Sequence, residues 1–303
     1  MVNLALIGAG AWGQNFLKTA LLLDNCRIKY VYSQSLSTLD PLSDQYIKTT
    51  SLEDLLDKKI DGIIIASPAS SHYQIAKKFL ENNFNLLIEK PLTTNLKDAI
   101  GLQKIWQGKK PRVLVGHLYL YEPAIKECKR LLKELGSIES ISFEGLLSQK
   151  RDDVSVIWDW GPHPVSIMLD LIGKPVKKIK IIHTHATRNQ LDELKIELTF
   201  SNGIRGMIHI GWSGSKKTRR LIINGLSGKK IVFDNTNTEH KISFYKGGKS
   251  PEFPSFNHDL SLNCELKEFV DSIQNGKKIT SDINLGVEVV KVLSEIEKLA
   301  KSA

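Results

Sequence analysis

A short apolar run that ends in closely spaced glycines constrains this chain more than any other stretch: Leu4-Ala5-Leu6-Ile7-Gly8-Ala9-Gly10-Ala11-Trp12-Gly13. The apolar part reads as a buried strand, and Phe16, Leu17, Ala20 and Leu21 then return at helical spacing. Strand, tight turn and helix in that order suit a dinucleotide site. Gly8 permits the turn, Gly10 lets backbone approach a pyrophosphate, and Gly13 allows helix and strand to pack closely. The N–H groups at the start of the helix then face phosphate charge. A tight turn without a ligand uses the same glycines, so the pattern alone leaves both readings open. Its place between a clean strand and a clean helix favours a nucleotide site, with Gly8, Gly10, Ala11, Trp12 and Gly13 as contacts.

The chain has 303 residues, enough for about two domains. Over the first 120 of them, strands alternate with helices. Cys26–Ser33 is the second strand, Ser51-Leu52-Glu53-Asp54 resembles a capped helix start, and Gly62–Ala66 is another buried strand. A helix over Tyr73–Glu81, a strand over Phe84–Ile88, a helix capped by Asn95 and a strand over Val113–Gly116 complete the series. This alternation predicts an α/β Rossmann domain over 1–120, a doubly wound parallel sheet whose strand ends at the carboxyl side carry the ligand. The end of the second strand faces the adenosine ribose in such a fold. It reads Ser33-Gln34-Ser35, with no acid to take the ribose hydroxyls of NAD and no adjacent Arg or Lys for a 2′-phosphate. NAD and NADP both stay open, and the missing acid tilts the reading toward NADP.

From Tyr121 the pattern changes. A helix over Pro123–Leu135 is followed by strand-like runs at Ile138–Leu147, Val176–His185, Leu194–Phe200, Ile204–Trp212, Leu221–Asn224, Ile231–Phe233 and Ile242–Tyr245. One helical segment, Trp158–Ile172, interrupts them, and amphipathic helices over Leu262–Gln274 and Leu285–Lys301 close the chain. Residues 121–303 therefore read as an α+β domain built on an open, mostly antiparallel sheet.

A net charge of +9 fits either solvated lysines or attraction of anionic ligands. No basic run alternates with aromatics and no zinc-finger or helix-turn-helix spacing occurs, which argues against nucleic acid. The three cysteines, Cys26, Cys128 and Cys264, lack a CxxC pair and read as thiols of a reducing compartment. No signal-peptide pattern and no bilayer-length apolar run is present, so a cytoplasmic protein without a membrane partner is expected. Ligand spacing for a metal and a GxSxG elbow are both missing.

Three residues could carry chemistry. Lys90, between Glu89 and Pro91, sits at the carboxyl end of a parallel strand, where it could hold a substrate hydroxyl or simply emerge into solvent. Asp159 and His163 lie four apart in Trp158-Asp159-Trp160-Gly161-Pro162-His163, which on one helix would share a face. A carboxylate near an imidazole orients it and raises its pKa, as a general base requires. A capping Asp and a surface His are the alternative. Pro162 belongs in a first helical turn, so the helix could begin near Gly161 and leave Asp159 before it.

Taken together, Gly8-Ala9-Gly10-Ala11-Trp12-Gly13, Ser67-Pro68 with His72, Glu89-Lys90-Pro91 and Asp159-x-Gly161-x-His163 resemble the Gfo/Idh/MocA oxidoreductases, relatives of glucose–fructose oxidoreductase and inositol dehydrogenase. The resemblance spans essentially the whole chain. It implies hydride transfer between a sugar-like carbon and the nicotinamide of NAD(P), with His163 taking the hydroxyl proton, Lys90 positioning that hydroxyl and Asp159 orienting His163 or the substrate. It also implies cofactor contacts at Ser33, Gln34, Ser67, Pro68, His72, Glu89, Lys90 and His117, and a cis Lys90–Pro91 peptide. Homodimers or homotetramers paired through the C-terminal sheet are implied as well, hiding a broad apolar sheet face.

The chain departs from many relatives in having Ser166 three residues after His163 and no Arg after Gly116. Gly116-His117, Tyr121-x-Pro123 and Trp212 look like members acting on nucleotide-linked sugars. Tyr121, Arg151 and Trp158 are the candidate substrate contacts. Lys150, Arg151, Lys216, Lys217, Arg219 and Arg220 could face a pyrophosphate or form a solvated strand face. A free polyol or inositol dehydrogenase is the alternative activity, and an NAD(P)-sensing regulator without turnover the alternative class.

Overall fold

The computed structural model describes residues 1–108, 111–147, 154–187, 190–212, 214, 216–248 and 250–302. The first strands are β1 (Val2–Ile7), β2 (Cys26–Tyr32), β3 (Ile47–Thr49), β4 (Gly62–Ile65), β5 (Asn85–Glu89) and β6 (Val113–Gly116). Between them lie α1 (Ala11–Ala20), α2 (Leu36–Leu39), α3 (His72–Glu81) and α4 (Leu96–Trp106). Next come α5 (Pro123–Leu135), β7 (Ile138–Leu146), α6 (Val156–Asp159) and α7 (Pro162–Ile172). The strands β8 (Val176–Thr187), β9 (Gln190–Phe200), β10 (Arg205–Gly211), β11 (Thr218–Gly225), β12 (Lys230–Asp234) and β13 (Ile242–Tyr245) follow. The last helices are α8 (Ser261–Asn275) and α9 (Ile283–Ala300). The chain divides into two compact units, Met1–Leu118 with Asp259–Val290, and Tyr119–His258 with Lys291–Ala303.

The first unit holds a six-stranded sheet in the order β3-β2-β1-β4-β5-β6, with every pair parallel. Its middle strands bury Ile63, Ile64, Ile65, Leu86, Leu87 and Ile88 completely. They read as unbroken apolar runs because helices cover both faces of a parallel sheet. Asn95 caps α4, its side-chain oxygen accepting the Asp98 N–H at 2.9 Å. The helix start expected at Ser51 is corrected to a single 3₁₀ turn over Glu53–Leu55 with no capping bond. Residues 259–290, which the sequence reading puts in the second domain, pack with the first unit. A Cβ on Gly62 would lie 2.9 Å from Ile273 and 3.0 Å from the Phe269 ring, so a bare position in β4 lets α8 lie close. The carbonyl of Ser281 accepts the Val115 N–H at 2.8 Å, and Asp282 bridges to Leu114, which covers the β6 edge.

The second unit holds a seven-stranded sheet in the order β13-β12-β11-β7-β10-β9-β8. β7 and β10 run parallel and the other neighbours antiparallel. Alternation sets its two faces. β9 buries Leu194, Ile196, Leu198 and Phe200 on one side and turns Glu193, Lys195, Glu197 and Thr199 to the other. That second face is not the broad apolar surface expected. His209 lies on it between Glu193 (2.9 Å) and Glu144 (3.4 Å), and Arg220 shares it, because the period of two keeps polar side chains there. The helical segment expected over Trp158–Ile172 is two helices, α6 and α7, broken at Trp160-Gly161. A Cβ on Gly161 would come within 2.2 Å of the Ile157 carbonyl oxygen, so only glycine lets the chain turn there. Among the described residues, no helix is long and apolar enough to cross a membrane.

Candidate active site

In the glycine turn of the first unit, Gly8 and Gly13 are required by backbone and packing. Gly8 has φ +98°, and a Cβ there would lie 2.7 Å from the Ala66 and Ser67 backbone at the end of β4. A Cβ on Gly13 would meet the Gly8 carbonyl oxygen at 2.0 Å, so α1 can begin only against a bare residue. At Gly10 the situation reverses: a Cβ would have no heavy atom within 4 Å. Packing therefore does not demand glycine at this position, whereas close approach of a ligand to the backbone would. α1 has no side-chain cap and no acid in its first turn, which leaves its N-terminal dipole available to phosphate. These residues fit a dinucleotide.

Glu89 and Lys90 lie where β5 ends, and the Lys90–Pro91 peptide is cis. Glu89 is buried, accepts the Trp12 indole N–H, and receives the Lys90 backbone N–H at 3.1 Å on its other oxygen. Its carboxyl rests on Gly116, whose added Cβ would lie 3.3 Å away. Burial pushes the Glu89 pKa up to about 7, against the opposing pull of the Trp12 bond and the Lys90 charge. Behind it on α8 stands Glu265, fully buried, with neither carboxylate oxygen bonded to any described residue. Burial and the neighbouring Glu89 and Glu268 charges raise its pKa well above the ordinary carboxylate value. Sequence reading missed Glu265. The signal was there, since it falls on the apolar stripe of α8 between Leu262, Leu266 and Phe269.

Two histidines expected to touch cofactor are interior groups. His72 is 1% exposed, its Nδ1 2.9 Å from the Pro91 carbonyl oxygen and its Nε2 2.9 Å from that of Ser67. It thus ties the Ser67-Pro68 turn to the Lys90-Pro91 turn from behind. His117 is completely buried with Nδ1 2.8 Å from the Ser281 hydroxyl, and burial and the Lys90 charge lower its pKa to about 3. It is neutral at any physiological pH. Ser67 shares a 2.7 Å hydrogen bond with Ser71. At the end of β2, Ser33 and Gln34 are followed by Ser35, whose N–H reaches the Ser33 hydroxyl at 3.4 Å.

In the second unit, Asp159 ends α6 and His163 is near the start of α7, so the two share no helix face and the spacing argument for that geometry does not hold. His163 sits among aromatic rings, 4.9 Å from Tyr119 and 5.7 Å from Trp160 between centroids. Trp160 in turn lies over Gly145, where an added Cβ would come within 2.9 Å of the indole. Tyr121 and Trp158 are 0% and 7% exposed, which makes them core side chains that shape this unit from within, with almost no surface for a substrate to touch. Arg151 and Lys150 lie outside the described residues. The basic strand is split by the pleat. Arg219 faces the same side as the buried Leu221 and Ile223, whereas Arg220 is exposed on the other.

A family profile described as "Oxidoreductase family, NAD-binding Rossmann fold" matches residues 2–117, and one described as "GFO/IDH/MocA C-terminal domain" matches 146–230. The UDP-N-acetylglucosamine 3-dehydrogenase of Acidithiobacillus ferrooxidans is 22% identical over 253 residues, 80% of each chain. Its solved structure superposes with TM-score 0.88, covering 97% of this chain and 96% of that one at 20% identity. The 2,7-anhydro-N-acetylneuraminate hydratase of Escherichia coli is 22% identical over 84% of this chain and 72% of its own. The scyllo-inositol 2-dehydrogenase (NAD(+)) of Bacillus subtilis is 23% identical over 78% of this chain and 75% of its own.

Proposed function

The chain belongs to the Gfo/Idh/MocA oxidoreductases, with an NAD-binding Rossmann domain, and we propose that within this family it transfers a hydride between nicotinamide and a carbon of a sugar or nucleotide-linked sugar. The observation that carries the reading is the bond from Trp12 in the glycine turn to Glu89, the neighbour of Lys90. It joins the phosphate-binding turn to the strand end that bears the candidate catalytic lysine. The nicotinamide, when bound, supplies the hydride acceptor for oxidation or the donor for reduction. Lys90 holds the substrate hydroxyl as a charged hydrogen-bond donor, and the deeply lowered pKa of His117 keeps a second positive charge away from it. His163 takes the hydroxyl proton on oxidation and returns it on reduction, with Asp159 orienting the ring or the substrate. Glu89 stays an acceptor for Trp12 and for the Lys90 backbone N–H.

The missing acid at Ser33-Gln34-Ser35 favours NADP over NAD. None of the three cysteines forms a disulfide, and burial raises the thiol pKa values of Cys26 and Cys128, which suits a cytoplasmic enzyme. Pairing into homodimers or homotetramers through the polar face of the second sheet belongs to the same reading. The relationship to scyllo-inositol 2-dehydrogenase supports a free polyol as the alternative substrate.

The test is to release and weigh the small molecules carried by the purified protein, titrate it with NADH and NADPH, and then assay a panel of UDP-sugars, free sugars and inositols. Saturable nicotinamide binding and turnover of a UDP-sugar above its free sugar are expected. Binding of neither cofactor overturns the reading, and faster turnover of a free polyol moves it to the alternative.

A further inference from the structure

The second unit contains a cation whose surroundings the proposed chemistry leaves unexplained. Arg219 sits on the covered face of the sheet, in register with Gly145 on β7, which pairs in turn with Ile210 on β10. A charged side chain on a core-facing strand position costs stability unless it is paired. Arg219 has no carboxylate partner among the described residues, and its Nε is buried without an acceptor. Its guanidinium lies 5.3 Å from the Trp160 ring, and its charge falls beside the buried Tyr119 hydroxyl. Those same two rings pack against His163. Trp212, two residues beyond Ile210 on the same face, has a buried indole N–H that is likewise without an acceptor. A Cβ on Gly145 would lie 2.9 Å from the Trp160 ring, so the bare residue is what lets that indole approach the sheet beside Arg219.

A buried guanidinium donor without an acceptor, on a fork-shaped cation stacked over an aromatic ring, is the counterpart of an oxyanion with several lone pairs. We propose that Arg219, stacked over Trp160, forms a subsite for a phosphate or carboxylate group carried by the substrate that His163 acts on. The proposal rests on the sugar-oxidoreductase reading and narrows it. The substrate is an anionic sugar, with its charge one aromatic ring away from the reacting hydroxyl, and a neutral polyol leaves the subsite unfilled.

Calorimetry with UDP, glucuronate and neutral methyl glucoside, on the full chain saturated with cofactor, tests this directly. The wild type is expected to bind one of the two anions and not the glucoside. Arg219→Met, which keeps the stem over Trp160 and removes the fork, should weaken that anion by about 100-fold. Arg219→Lys should recover part of the loss, and NADH affinity should not move in either variant. UDP binding alone identifies a phosphate as the occupant, and glucuronate binding alone a carboxylate. In turnover, Arg219→Met should raise KM for the charged sugar far more than it lowers kcat and leave any neutral sugar unaffected. No anion binding by the wild type, or undiminished binding by Arg219→Met with the fold intact by circular dichroism, overturns the subsite. Loss of NADH and NADPH binding from the wild type would instead sink the parent reading, and the calorimetric outcome would still stand on its own.

Discussion

The indole N–H of Trp12 donates to the buried carboxylate of Glu89, joining the first turn of α1 to the end of β5 across 77 residues of sequence. A hydrogen bond to a buried charged acceptor is worth more than a neutral one. Trp12→Phe keeps the ring and loses the donor, so it should cost about 1.5–3 kcal/mol in urea unfolding at pH 8. Because that bond lowers the Glu89 pKa, the variant's carboxyl should titrate at still higher pH than the wild type's. An unchanged urea midpoint would mean that the contact is not made in solution.

Glu265 and Glu89 predict how stability depends on pH. Both carboxyls have folded-state pKa values raised above the unfolded carboxylate value, chiefly by burial. The folded state therefore binds more protons than the unfolded chain once pH exceeds about 4.5. Their contribution is fully present below that pH and declines as pH rises through about 7, the folded value for Glu89. Glu265→Gln, neutral and of the same shape, should flatten the decline between pH 5 and pH 8 and leave stability at pH 8 equal or higher. A steeper slope in the variant would show that Glu265 is ionised and paired.

Gly8 and Gly10 should separate fold from ligand. Gly8→Ala forces a side chain into φ +98° and into the Ala66 backbone, so it should lower the melting temperature or abolish soluble protein. Gly10→Ala adds a methyl where nothing else lies within 4 Å, so the melting temperature should stay near that of the wild type. NAD(P)H affinity should nevertheless fall about tenfold or more if the pyrophosphate passes there. Equal cofactor affinity in Gly10→Ala would remove the backbone-approach argument.

Lys90→Met and His163→Asn probe the chemistry without touching the glycine turn. Each should lower kcat by about 100- to 10,000-fold, the usual range for a general acid–base group, while the Kd for NADH changes little. Both binding and turnover persisting would exclude these residues from catalysis. Binding without any turnover in the wild type would support a sensor in place of an enzyme.

Much of this was legible in the chain itself. Gly8 and Gly13 announced a strand–turn–helix, and the apolar runs of β4 and β5 announced a sheet covered on both sides, because local sterics and burial period write directly into residue order. β3 left no trace, since three half-exposed residues carry no pattern. Asp159 and His163 suggested one helix face, but Gly161 at the contact with Ile157 divides them between two helices, a constraint set by neighbouring backbone.

Residue order alone determined the parallel sheet, the glycine turn between β1 and α1 and the alternating second sheet, all consequences of neighbours in sequence, while the cis Lys90–Pro91 peptide followed from the family resemblance. The tertiary structure decided the rest: the return of α8 to the first unit over Gly62, the burial of Glu265 behind Glu89, the interior positions of His72 and His117, and the core-facing side of Arg219. These depend on which distant segments share a packed interior. Desolvation and unmet hydrogen bonds act through space, and no spacing along the chain records them.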